Sequence, residues 1–518
     1  MKVKTIFRNT CLGLFALSMF SSCGDMLDTN PTQSMSGSGL LANGNAAQVP
    51  LNGIYRTMYT SGWTTTDNTH QCFGIPAYTI MADVMGEDMI MQAMGSGWFW
   101  FDALYNVKSF YTSSAWRSYD LWNAYYTWIS NANYIISAEE TMGGTELEKN
   151  YAIGQAYAIR AYSYFMLAQN FARTYKGHED EPCVPIYDGP TTPSTTGQPR
   201  STVAKVYEQI DNDINKAITL LEGTTQKDPS HIGYAVALGI KARIALVEEK
   251  WTEAKNAAHD AITASGKSIL PVSSFSGLNN ASAGNVMWGF TIIADQSGKY
   301  AGLFTHMDAD CGYYAASARK EINKELYAKM SATDTRRAWW NPNDANNKDK
   351  DGNEYGYQQE KFKFADIQTW MGDYVIMRVE EMYLIAAEAE CRLGEETAAR
   401  TDLMALMSKR DPNYSTSKTG TALGVLSSDV TGSLLEEIIN QRRIELWGEA
   451  GRMHDLKRLK QGFRRTRAQG WPSDLLLSTR PTDDPEAYMN VFTIPQKEFD
   501  GNENMNPDTD QNPVGDYK

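Results

Sequence analysis

The residues best suited to chemistry fall into an acidic cluster, a charged ladder and a scatter of aromatic rings. Asp83, Glu87 and Asp88 are close enough in sequence to suggest a carboxylate pair of the kind that cleaves glycosidic bonds. Nothing else in the sequence supports that geometry, so a solvated or capping role is expected. The ladder lies in residues 436–458, EEIINQRRIELWGEAGRMHDLKR. Arg442, Glu445, Glu449, Arg452 and Asp455 recur at steps of three or four, which lines them on one helix face. Ile438, Ile439, Leu446 and Trp447 supply an apolar face to bury, and Gly448 and Gly451 let the chain turn. Ion-pair rows of this kind more often hold structure than perform catalysis, so a scaffold is expected.

Other motifs are incomplete. Gly266-Lys267-Ser268 ends like a phosphate-binding loop, but the first glycine should fall at Ala261, inside a helical pattern. Neither H-E-x-x-H nor G-x-S-x-G occurs. Asn347-x-Asp349-x-Asp351-Gly352 begins like a calcium loop, but Gln358 stands where the bidentate Glu belongs, and Lys348 and Lys350 dilute the field. No C-x-x-C is present. The sequence therefore predicts no catalytic residue, cofactor or metal. What remains is aromatic surface: 28 Tyr, 13 Trp and 17 Phe are more than a core absorbs, so some face a ligand or partner. Trp98, Trp100, Tyr300, Tyr313, Tyr314 and Trp339 lie outside the helical repeats, with Gly, Asn or Asp nearby. In an extended segment Trp98 and Trp100 point to the same side. Sugar rings stack their C–H faces on such side chains; two or three of the six are expected to line a shallow site, with the rest in the core.

The elements that position these residues begin after an export leader. Lys2, Lys4 and Arg8 precede an apolar run at 11–20 that is too short to span a bilayer. Small residues Ser21 and Ser22 then precede Cys23, which resembles a lipobox with cleavage before Cys23 and acylation of it. Residues 1–22 are thus read as a signal peptide and 23–48 as a flexible tether. The formal charge of −14 becomes −17 once the three leader cations are removed, which excludes nucleic acid as a partner surface. Cys72, Cys183, Cys311 and Cys391 remain, and the sequence does not choose among their pairings.

Helical patterns occupy 49–59, 118–140, 147–171 and, after a proline-rich crossing at 174–200, 201–221. Residues 234–264 and 375–407 each read as two helices meeting at a tight turn. Alanines recur at 242, 254 and 261 and again at 386, 398 and 405, with the same steps. That spacing matches a tetratricopeptide-type unit. The predicted fold is mainly α: a tetratricopeptide-like helical-repeat superhelix with a loop-rich, partly β insertion at 272–370 carrying the ligand surface. Within it, 286–293 reads as a strand and 317–330 as one short helix. Domain boundaries are placed at 49–222 and 223–518.

Residues 441–458 resemble the C-terminal signature of the SusD/RagB family, E-R-R-x-E-L-x-x-E-G-x-R-x-x-D-L-x-R. Arg442, Arg443, Glu445, Leu446, Glu449, Arg452, Asp455, Leu456 and Arg458 match it, while Gln441 and Ala450 depart from it. Residues 492–513 resemble the family ending, with Ile494-Pro495-x-x-Glu498 and then Gln511-Asn512-Pro513. The resemblance implies a lipid-anchored outer-membrane protein on the cell surface of Bacteroidetes-type bacteria. Such a protein captures a nutrient, most often an oligosaccharide or glycan, and delivers it to a SusC-type TonB-dependent transporter without catalysis. Peptide capture, a surface glycoside hydrolase and a purely structural subunit are the alternatives.

Overall fold

The computed structural model describes residues 37–64, 66, 68–106, 116–343 and 356–513. Cys23 and the calcium-like stretch at 347–355 lie outside them. The longer helices are α1 (Gln48–Thr57), α2 (Ile75–Val84), α3 (Trp116–Ile136), α4 (Glu146–Phe171), α5 (Val203–Leu221), α6 (Tyr234–Val247), α7 (Trp251–Ser265), α8 (Val379–Arg392), α9 (Glu396–Met407), α10 (Leu434–Glu445) and α11 (Arg452–Leu459). Their starts have identifiable local causes. Thr145 accepts from the Glu148 amide while Glu148 reaches back to Thr145, a capping box that opens α4. Thr202 and Ser433 cap α5 and α10 by accepting from the amides of Lys205 and Glu436. Left-handed Gly266 closes α7, which removes the phosphate-loop reading of Gly266-Lys267-Ser268.

Antiparallel pairs stack in chain order, α3 on α4, α4 on α5, α6 on α7, α7 on α8 and α8 on α9. This is the predicted superhelix. Small residues also let the strand at 374–378 approach α6, where a Cβ on Gly239 would run into Met377. Ala242, Ala254, Ala261 and Ala386 are fully buried, as the repeat spacing requires. The second unit departs at its second helix, where Ala398 and Ala405 are only half-buried and Ala399, Leu403 and Leu406 carry the packing. Among the described residues, no helix is long and apolar enough to cross a membrane.

The insertion is built differently. Strand β2 (Val286–Phe290) pairs antiparallel with β6 (Tyr374–Arg378), and β6 runs directly into α8. The helical pattern expected from Val375 therefore begins at Val379. A second small sheet has the order β1-β3-β5-β4, from Met89–Met91, Lys320–Ile322, Gln358–Gln359 and Trp340–Asn341. Residues 317–330, expected as one helix, break into β3 and a short helix, Lys324–Ala328, because β3 is claimed by pairing with β1. A large hydrophobic core draws on residues from Ala47 to Met505, and a second, smaller one packs between α8, α9 and α10. Residues 492–512 clasp α3 and α4: Glu498 accepts from Trp122 Nε1, and Asn512 donates to the carbonyls of Phe171 and Phe492.

The predicted ladder does not form on one helix. α10 ends at Glu445, and the chain turns through 446–451 before α11. Gly448 takes φ 80°, and a Cβ there would meet Phe362 at 2.5 Å, so the turn needs glycine on both counts. The four remaining cysteines are buried and unpaired.

Candidate functional site

Four aromatic residues from three separate segments converge on one face. Tyr300 lies 5.6 Å from Tyr313 and 6.0 Å from Tyr314, and Trp98 lies 5.9 Å from Tyr314, all as ring centroids. His70 sits among them, stacked on Tyr300 at 5.7 Å and edge-on to Trp98 at 5.2 Å. Trp370 extends the row beyond Tyr313, at 5.0 Å. Lys299 Nζ hangs 4.4 Å from the Tyr313 ring centre and 5.5 Å from that of Trp370. Tyr300 is 43% exposed, and Trp98, Tyr313, Tyr314, Trp370 and His70 are half-buried. All six side chains keep part of their surface open to solvent.

The support beneath is rigid. Buried His306 stacks on Tyr314 above and on Phe73 below. Burial pulls the His306 pKa down to about 3, so its ring is neutral and its Nε2–H donates to the His70 carbonyl. His70 Nδ1 and the Tyr314 hydroxyl share a 2.6 Å hydrogen bond. The loop presenting Trp98 is pinned from behind. Gln71 Oε1 accepts from the Phe99 amide, and Arg117 grips Asp102 at 2.9 Å while donating to the Gln71 carbonyl. Gly97 and Phe99 both adopt left-handed φ, which turns Trp98 out and Trp100 in. The rings are therefore held in place before any ligand arrives, which reduces the ordering cost of binding.

The charged residues assemble elsewhere. Buried Glu445 accepts from Arg410 at 2.8 Å, Arg378 at 3.1 Å and Arg336 at 3.5 Å. Burial raises the Glu445 pKa, but the three guanidiniums outweigh it and hold the carboxyl far below the ordinary range. Glu449 pairs with Arg378 and Lys361, and Arg458 with Glu388. The acidic cluster is absorbed into the same frame: Asp88 pairs with Arg443 at 2.6 Å, Glu87 with Arg452 at 2.8 Å, and Asp83 accepts from the Arg452 amide. Glu87 and Asp88 are thus buried counter-charges, whereas burial pushes the Asp83 carboxyl up to about 8. A cavity of about 100 Å³ lies among the ion pairs and is lined by Arg243, Glu381, Arg442, Glu449 and Asp455. It is smaller than the range typical of ligand pockets.

Two family profiles match the chain. One, described as starch-binding associating with outer membrane, covers residues 78–246, and the other, the SusD family, covers residues 282–514. Together they span most of the described chain. The chain belongs to the SusD family. A comparison with curated proteins finds no match. Solved structures of similar fold include a SusD-like carbohydrate binding protein from Bacteroides vulgatus, with TM-score 0.72, 23% identity, and 90% of this chain and 98% of that one covered. A SusD superfamily protein from Bacteroides thetaiotaomicron gives TM-score 0.71 at 21% identity over 91% and 100%. Surface glycan-binding protein A from the same organism, in complex with laminarihexaose, gives 0.65 at 17% identity over 90% and 99%.

In this SusD-family chain the structure brings together Trp98, Tyr300, Tyr313 and Tyr314 of the six aromatics singled out from sequence. It does not bring Trp100 or Trp339. Trp100 is 5% exposed, because it starts a helical turn and faces the core instead of lying in an extended strand beside Trp98. Trp339 is 4% exposed and packs against Phe275 and Trp340, with Lys361 over its ring. Neither offers a face to a ligand. Sequence reasoning missed His70, Lys299 and Trp370. Trp370 carried a signal, since it stands in a Gly- and Asp-containing segment just outside the repeats.

Proposed function

We propose that this SusD-family protein is a lipid-anchored, cell-surface glycan-binding protein that delivers an oligosaccharide to a SusC-type TonB-dependent transporter. The carrying observation is the half-open platform of Trp98, Tyr300, Tyr313 and Tyr314 with His70 and Trp370, held on a rigid base outside the helical repeats. Sugar C–H faces would stack on the exposed sides of the rings, and Lys299 would reach hydroxyls at the rim. The laminarihexaose complex of a protein of similar fold is consistent with this reading. The role is binding without turnover, and Cys23 is the acylated anchor.

The test is a titration of the chain from Gly24 with a panel of plant, microbial and host glycans, beside a peptide pool, read by calorimetry. Saturable binding to one glycan class, weakened about tenfold in Trp98→Ala and at least tenfold in Tyr300→Ala, is expected. Binding to peptides alone would replace the glycan reading with peptide capture. Hydrolysis of a bound glycan by pure protein would overturn the non-catalytic role.

A further inference from the structure

Far from the platform in sequence and fold, three potential metal ligands meet where the two helical units join. His259 projects from α7, Glu390 from the end of α8 and Asp402 from the middle of α9. Their ligand atoms all lie within 4.8 Å of one another. His259 Nε2 is 2.7 Å from Asp402 Oδ2 and 3.7 Å from Glu390 Oε1. Glu390 is 3% exposed, and its Oε2 is buried with no hydrogen-bond partner. An unpartnered carboxylate oxygen in such a place is costly unless it is protonated or bound.

We propose that His259, Glu390 and Asp402 form a Zn²⁺ site that staples the α6/α7 unit to the α8/α9 unit. One imidazole and two carboxylates are all ligand types that Zn²⁺ accepts, and its ligands lie about 2.0–2.2 Å away in a tetrahedron, hence roughly 3.4 Å from one another. The two separations from His259 Nε2, 2.7 and 3.7 Å, bracket that edge. Ca²⁺ is disfavoured because it needs six or more oxygen ligands, and Mg²⁺ because it prefers an octahedral oxygen shell. The 43% exposed side chain of His259 leaves the fourth position to water and gives the ion an entry path. The neighbouring cation Lys255, one turn before His259, is held by Glu395 at 2.7 Å. The other titratable neighbour is Tyr383, which lies two turns before Glu390 on α8 and within electrostatic range of Asp402. Sequence spacing gave no hint, because the histidine and the aspartate are 143 residues apart and no two ligands share a motif.

The experiment is a calorimetric and thermal titration of the tag-free chain from Gly24 with ZnCl₂ after EDTA treatment, with CaCl₂ and MgCl₂ in parallel. One equivalent of Zn²⁺ is expected to bind and to raise Tm by ~2–5 °C at saturation, with no shift from Ca²⁺ or Mg²⁺. His259→Ala is expected to weaken that binding at least tenfold. Glu390→Gln removes the buried acid without changing its shape, so it should fold, match or exceed the metal-free parent in Tm, and lose the zinc-induced shift. No Tm shift with Zn²⁺, or a shift that persists in both variants, would overturn the proposal.

Discussion

The ion-pair hub around Glu445 and the aromatic platform around Tyr300 are assembled by the same device and end in opposite states. Each collects side chains from segments distant in sequence. The hub draws Arg336, Arg378 and Arg410 onto one carboxylate and closes over it, leaving Glu445 fully buried. The platform draws Trp98, Tyr300, Tyr313, Tyr314 and His70 into contact and stops half way, with Tyr300 still 43% exposed. Satisfied polar groups fix a structure, while open apolar faces backed by rigid neighbours leave interaction energy for something else. The family signature in residues 441–458 therefore identifies the frame. The residues that would select a ligand lie outside it.

This contrast makes separable predictions. The largest effect is expected at the hub. Glu445→Ala leaves three guanidiniums buried without their shared partner and should cost about 3–5 kcal/mol, seen as a large loss of Tm or of soluble protein. A drop no larger than that of an exposed carboxylate would break the distinction between frame and platform. Next come the two tryptophans one residue apart. Trp100→Ala empties a core position and should cost about 3–5 kcal/mol of stability by urea denaturation. Trp98→Ala should leave the urea midpoint nearly unchanged and weaken glycan binding about tenfold, equivalent to ~1.4 kcal/mol.

A smaller effect concerns acid. Burial raises the Glu87 pKa, but Arg452 and Arg443 override it and hold the carboxyl at about 2. The folded value lies below the unfolded value of about 4.3, so the native state binds fewer protons in that interval. The contribution of Glu87 is complete above about pH 4.3 and is lost as pH falls toward 2. Urea midpoints of the parent should fall more steeply through this window than those of Glu87→Gln. Equal slopes would mean that the pair contributes nothing. The smallest effect is expected at Lys299, whose ammonium sits over open rings: Lys299→Ala should change Tm by less than a degree and glycan affinity by about threefold or less.

Much of the frame was legible in the sequence. The capping residues before α5 gave that helix almost to the residue, and the apolar row and following glycine gave the end of α8 but not its start, which strand pairing moved from Val375 to Val379. Partner choice was not legible. Arg442, Glu445 and Arg452 look like neighbours on one ladder, yet a glycine turn at 448 splits the helix, and all three find partners far away in sequence. Trp98 and Trp100 look equivalent until Phe99 takes left-handed φ and sends them to opposite environments. His70 carries no local signal, because its role comes from Tyr300 and Tyr314, which are more than two hundred residues away in the chain. Long-range convergence, absent from any sequence window, decides both the hub and the platform.

The most direct test of the account is a calorimetric titration of Tyr300→Ala with the glycan that binds the parent, alongside its thermal midpoint. Tyr300 is the most exposed ring of the platform and touches both Tyr313 and Tyr314. The account predicts binding weakened at least tenfold with Tm within about a degree of the parent. Undiminished binding in a normally folded Tyr300→Ala protein would contradict it and would move the ligand site away from these rings.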